Sequence, residues 1–356
     1  PATKAMAIIG ISGRFPGART TDELWQVLAE GRDMVGEIPP ERYDWREHYG
    51  DPRENPTKTR CIWMGSVPGI DEFDPLFFEI SPREATHLDP RQRLLLQESW
   101  NVLEDAGIGP RQLATQRVGM FVGVEEGDFQ RLAGEESLTS SHNGILASRL
   151  AYFLNLTGPT MAINTACSSA LVALHQAASS LRNQECEMAI AAGVNLIFSA
   201  DAFIGMTQAG MLSPDGKCFA FDHRANGMVP GEAVCCVLLK PLARAEADGD
   251  RIYGTLRASG LNYDGKTNGI TAPSGVSQQR LLEEVYRRAG IDTQAVDYIV
   301  THGTGTQLGD PVEINALNDA FGGNSPGHCA LTSTKTNLGH TFAASGLVSV
   351  ISLLQA

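Results

Sequence analysis

Asn164-Thr165-Ala166-Cys167-Ser168-Ser169-Ala170 joins a short apolar run to an alanine-rich one, and its reading decides the fold. The apolar residues ahead of it predict the end of a strand at 162–164. The alanines behind it predict a helix to about residue 181. A helix start offers backbone N–H groups and the positive end of the dipole, and both favour a thiolate over a thiol. Cys167 is therefore expected to be a nucleophile at neutral pH. The small flanking residues suit a tight turn and leave room for a substrate. On this run alone the other reading, a buried cysteine acting as a small apolar residue, stays open.

Outward from this junction the chain alternates. Strands are expected at 5–11, 118–124, 188–196, 233–241, 252–262, 296–301 and 329–333. Helices are expected at 21–29, 146–154, 276–289 and 341–354, with others opened by Ser81-Pro82-Arg83-Glu84, Asp89-Pro90 and Asp310-Pro311-Val312-Glu313. This alternation predicts an α/β architecture with largely buried sheets. The strand at 252–262 is expected to begin a second half, giving domains 1–250 and 251–356. Residues 39–75, rich in Pro, Gly, Asp and aromatics, read as a long ordered loop anchored by Tyr43, Trp45, Tyr49, Trp63 and Phe73.

Composition narrows the function. The formal charge of −13 argues against nucleic acid as a partner, since phosphate binding needs a dense cationic face. Seven cysteines, an odd number, show no paired C-x-x-C motif. Cys235 and Cys236 are adjacent in a strand, so they point to opposite faces and make poor metal partners. The expectation is a reduced, cytoplasmic chain without a metal. No signal peptide is visible, and the apolar stretches near 188–197 and 342–354 are too short or too polar to span a bilayer. No membrane partner is expected. Phosphate-loop and dinucleotide-binding spacings are missing, so no bound cofactor is expected either. Pro1 at the start, and the end at Gln355-Ala356 just after an apolar helical run, suggest an excised piece.

Two histidines strengthen the catalytic reading of Cys167. His302 follows the strand expected at 296–301, in His302-Gly303-Thr304-Gly305-Thr306, at the carboxyl end where α/β proteins place ligands. His340 follows Lys335-Thr336-Asn337-Leu338-Gly339 and is expected to begin a helix, which disfavours imidazolium. Two neutral imidazoles converging on one oxygen would stabilise an enolate or a tetrahedral oxyanion. Asp222, His223, Glu232 and Glu313 read as structural, Glu313 mainly as a helix cap.

Thr165-Ala166-Cys167-Ser168-Ser169, His302-Gly303-Thr304-Gly305-Thr306 and Lys335-Thr336-Asn337-Leu338-Gly339-His340 resemble the three signature blocks of β-ketoacyl synthases. Gly13-Arg14-Phe15-Pro16-Gly17, Asp89-Pro90-Arg91-Gln92-Arg93, Pro214-Asp215-Gly216-Lys217-Cys218 and Asn262-Tyr263-Asp264-Gly265 resemble the ketosynthase domains of modular type I polyketide synthases. The run from Thr306 to Ala316 is similar to synthases whose acyltransferase acts in trans.

The resemblance covers essentially the whole chain and carries specific implications. It implies a thiolase-like five-layer αβαβα fold working as a homodimer. Cys167 would take an acyl chain from the phosphopantetheine arm of an acyl carrier protein, in company with neighbouring polyketide synthase domains. A malonyl-type extender would then decarboxylate, and its enolate would attack the thioester. His302 and His340 would serve decarboxylation, and Lys335 would fix the polar network around them. Thr304 and Thr306 would bind the pantetheine amides, and the Cys167 N–H would be one oxyanion donor. The alternatives are a non-elongating, gatekeeper ketosynthase or a fatty-acid-type synthase. The family's later Gly-Phe-Gly-Gly-type turn has no counterpart here. The C-terminal part of the second half is therefore expected to be missing, and this piece alone is expected neither to fold soundly nor to turn over.

Overall fold

The computed structural model describes residues 5–133, 138–322, 325 and 327–356. Six strands build its main sheet: β1 Met6–Arg14, β2 Val118–Val124, β3 Thr160–Ile163, β4 Met188–Asn195, β5 Ala233–Pro241 and β6 Gly254–Leu256. Their order is β3-β2-β4-β5-β1-β6. β2 runs parallel to both β3 and β4, while β5 pairs antiparallel with β4 and β1, so the sheet is mixed. A separate pair, β7 Tyr298–Val300 and β8 Ala330–Thr332, is parallel.

Helices cover both faces: α1 Thr21–Ala29, α2 Pro90–Asp105, α3 Asn143–Phe153, α4 Ser169–Arg182, α5 Gly275–Ala289, α6 Gly309–Ala320, α7 Lys335–Leu338 and α8 Ser345–Gln355. Strand alternation sorts the core into two layers. Ala7, Ile9 and Cys236 face Leu95 and Val102 of α2 and Leu146 of α3. Met6, Ile8 and Cys235 face Ala173 and Leu174 of α4 and Leu347 of α8. The opposite facing of the two adjacent cysteines is as the sequence predicts.

The register of β1 shifts between Ile8 and Gly10, and this extra residue changes which face the following side chains meet. Ile11 thereby joins the layer of Met6 and Ile8, and Ser12 reaches the Glu98 carboxylate on α2. The loop at 39–75 is tied down by Arg42, whose guanidinium donates to both oxygens of Glu232 (3.1 and 2.9 Å). Glu232 also accepts from Val67 N and Ile197 N, so it is the structural residue the sequence suggests. Trp45 and Trp63 pack on one small cluster there and Phe73 on the main core, while the exposed Tyr49 meets Trp45 edge to face at 5.9 Å.

One expectation needs correcting. The strand predicted at 252–262 is reduced to Gly254–Leu256, and it pairs with β1 at the edge of the first sheet. Residues 257–274 form neither helix nor strand.

Candidate active site

β3 delivers the chain to the Cys167 turn, where Ala166 takes a left-handed backbone (φ 55°). Non-glycine residues rarely adopt that conformation, and it tends to occur where the surroundings enforce it. Here Thr165 N donates to Ser169 Oγ (2.9 Å), and Ala166 N donates to Asn164 Oδ1 (3.2 Å). The Ser168 hydroxyl turns back to donate to Thr165 O (2.8 Å), so no side chain caps the first turn of α4. Gly123 of β2 makes the close approach possible. A Cβ there would meet Ala170 N at 2.4 Å and Ser169 C at 2.5 Å.

The second half supplies the imidazoles. Thr301 N is held by Thr332 O (2.8 Å), extending the β7–β8 pairing to the residue before His302. Glu313 of α6 accepts from His302 N (2.7 Å) and Gly303 N (2.8 Å). Lys335 Nζ donates to His302 O (2.6 Å), and Ser333 Oγ to Gly303 O (2.8 Å). The backbone around His302 is thus clamped from both sides. Glu313 is not the expected helix cap: α6 begins at Gly309, a full turn earlier, and its carboxylate faces the His302 loop. Asp310 likewise turns to the loop, accepting from Gly305 N and Phe221 N.

His340 does not open a helix directly. It follows α7, is fixed by His340 N to Val229 O and Gly231 N to His340 O (both 2.7 Å), and precedes a 3-10 turn at Phe342–Ala344. Its Nδ1 accepts from Phe342 N (3.1 Å). A nitrogen accepting a hydrogen bond carries no proton, so the proton of the neutral ring sits on Nε2.

Cys167, His302 and His340 each offer an atom within 4.8 Å of the others. The two rings meet edge to face at 5.3 Å. Burial, with Lys335 as a second cause, lowers the pKa of both histidines below their usual 6.5. His340 is fully enclosed, whereas His302 keeps an open face to the cleft. Burial also lowers the Lys335 ammonium, and the surrounding acids oppose it. These neutral imidazoles agree with expectation, but the cysteine does not. Burial raises the Cys167 thiol above its ordinary 9.0, outweighing the nearby Lys335. Burial thus favours the thiol over the anion at this position.

The trio has the composition of a metal site, but the geometry fits one poorly. Ligation through His340 Nε2 would move its proton to Nδ1, where it would face the Phe342 N–H. A cavity of about 670 Å³ lies beside the 39–75 loop and contains none of the three.

Thr304 and Thr306 lie on the same loop, with their hydroxyls 3.0 Å apart. Thr306 Oγ1 also accepts from Gly309 N (3.2 Å), closing the turn into α6. Sequence reasoning took Asp310 for part of a helix opening, and missed Ser333, which shapes the His302 loop, and Ser345, whose hydroxyl donates to Cys167 O (3.1 Å). Small polar residues of this kind give no local signal. Asp222 pairs at the surface with Arg224 and is structural.

Comparison with known proteins decides the family. A model described as the N-terminal domain of β-ketoacyl synthase matches residues 3–245, and its C-terminal counterpart matches residues 253–356. The chain belongs to the β-ketoacyl synthase family. Among curated relatives, polyketide synthase ThaG of Burkholderia thailandensis is 55% identical over all of this chain. PksM of Bacillus subtilis is 49% identical over 99% of it. The chain spans only 6% and 8% of those two synthases. Among solved structures, the ketosynthase from module 6 of the B. subtilis bacillaene synthase matches with a TM-score of 0.92 and 44% identity. That match covers 98% of this chain and 60% of the other. An oxazolomycin ketosynthase domain of Streptomyces albus matches with a TM-score of 0.93 and 38% identity, over 99% and 62%. The α/β architecture of this β-ketoacyl synthase chain, a mixed sheet between helical layers, is therefore the thiolase-like fold of ketosynthases. No helix among the described residues is long and apolar enough to cross a membrane.

Proposed function

We propose that this chain is the condensing domain of a polyketide synthase, joining an acyl chain on Cys167 to a malonyl-type extender on an acyl carrier protein. The observation that carries this reading is the convergence of Cys167, His302 and His340. The N-terminal half, residues 1–250, contributes the nucleophile, and residues 251–356 contribute both histidines.

In the first stage the Cys167 sulfur attacks the carrier-bound thioester. The thiol is neutral at rest, so its proton must leave as the bond forms. His302 is suited to relay it: its ring is neutral, lies within reach of Cys167 and keeps an open face. The Cys167 N–H, at the uncapped end of α4, receives the developing oxyanion. The pantetheine thiolate departs and regains a proton.

In the second stage the extender's carboxylate leaves as carbon dioxide, and the bonding pair moves into an enolate. His302 and His340 both serve this step, and His340 Nε2–H donates to that enolate oxygen. The enolate carbon attacks the Cys167 thioester and expels the cysteine sulfur, giving the β-ketoacyl carrier. Lys335 acts through the backbone, holding the His302 carbonyl. Thr304 and Thr306, on the His302 loop, are suited to bind the pantetheine amides.

A homodimer fits the sheet. β3 is an edge strand with an unpaired side, and Met161 on it and Tyr152 nearby are exposed. Such an edge invites a second copy across a two-fold axis. The acyl carrier protein and the adjoining synthase domains complete the partners, in the cytoplasm.

Decarboxylation of carrier-bound malonyl by the intact protein tests the reading. His302→Ala should lower the rate at least about 100-fold. An unchanged rate would defeat the histidine assignment.

A further inference from the structure

Phe342 combines three features that no structural requirement of its helix explains. Its backbone is left-handed (φ 42°), a conformation that bulky side chains rarely adopt. Its N–H donates to His340 Nδ1 (3.1 Å). Its ring stacks on the His340 imidazole, with centroids 4.6 Å apart and planes at 9°. The phenyl also packs against two apolar clusters, one holding Ile38, Met64 and Phe203 and the other Met228 and Val229.

Backbone strain of this kind persists only where the surroundings over-determine it. The N–H···Nδ1 bond chooses the tautomer of His340, but one hydrogen bond leaves the imidazole free to pivot about it. The stacked face removes that freedom, and the apolar clusters hold the face. Phe342 carries no acid, base or nucleophile, so its chemical effect passes through the His340 ring on which it stacks.

We propose that the Phe342 ring is a positioning element that fixes the plane of His340, so that Nε2–H stays aimed at the enolate oxygen of the extender. This role rests on the ketosynthase reading above. It separates the two stages. Acylation depends on Cys167, its helix end and His302, whereas decarboxylation depends in addition on the direction of the His340 donor.

The test compares two half-reactions in the full-length protein: Cys167 acylation by an acyl-pantetheine thioester, followed by intact mass, and malonyl-carrier decarboxylation. The readout is the ratio of the two rates, which is insensitive to the fraction of folded enzyme. Phe342→Leu keeps apolar volume but removes the flat face, and the ratio of decarboxylation to acylation should fall about tenfold. Phe342→Tyr keeps the face and should restore the ratio. If Phe342→Leu does not fold, Phe342→Met serves the same comparison. A ratio equal to wild type in the Leu or Met variant, or a ratio that Tyr does not restore, would overturn the positioning role. A wild-type protein that shows neither half-reaction would overturn the ketosynthase reading itself.

Discussion

At Cys167 two effects oppose each other, and their balance sets how the residue reacts. The helix end and Lys335 favour the anion, while burial favours the thiol and outweighs Lys335. The enzyme therefore holds its nucleophile protonated until substrate arrives. Alkylation of Cys167 by iodoacetamide should rise about tenfold for each pH unit and continue rising past pH 9. Mass-spectrometric mapping between pH 6 and 10 measures this, and a plateau near pH 7 would show a thiolate at rest. Labelling should concentrate on Cys167 over Cys61 and Cys218, both enclosed and both pushed up to about 11 by burial. The sequence singled out Cys167 as the candidate nucleophile, but its expectation of a thiolate runs against the direction in which burial moves the thiol. The dipole term is visible in a local string, whereas desolvation depends on residues more than a hundred positions away.

At the scale of elements, the site exists because α4 lies almost on the sheet. Gly123 and Gly193 permit this, since a Cβ on Gly193 would meet Ala170 Cβ and Ala344 Cα, both at 2.9 Å. Gly123→Ala places a methyl against backbone atoms that cannot move without shifting the Cys167 turn. It should lower stability by about 1–3 kcal/mol and slow Cys167 acylation more than Ala substitution of an unconstrained glycine such as Gly109. Thermal melting and acylation rates measure both, and an unchanged melting point would mean the helix has slack. The strands 118–124 and 233–241, long apolar runs between clear turn signals, were legible in the sequence to the residue. The strand at 252–262 was not, because it lies at a sheet edge and most of its residues find no pairing partner. Glu313 was misread for a related reason. Its position near a helix start suggested a cap, yet only the fold shows that its carboxylate meets the N–H groups of His302 and Gly303.

At the scale of the molecule, His340 lies at the seam where the second half meets the first. Its own backbone bridges Val229 and Gly231, and Asn337 O accepts from Met34 N (2.8 Å) just before it. Protonating His340 would place a buried cation beside the Lys335 ammonium, so the folded protein resists it. The unfolded chain does not resist and takes up that proton near pH 6.5. Below that pH the unfolded state binds more protons than the native state, and stability therefore falls as pH falls. His302, lowered in the same direction, adds to the effect. The enclosed His340 contributes at most about 1.4 kcal/mol per pH unit below 6.5, and the more open His302 less. Urea unfolding at pH 7.5 and pH 5.5 should show the protein weaker at the lower pH, in a window above the usual carboxylate range. His340→Gln should flatten that dependence, because the side chain that titrates only when unfolded has been removed. A wild-type midpoint that stays level or rises at pH 5.5 would mean the seam accommodates an imidazolium, and the neutral donor required for enolate stabilisation would lose its physical basis.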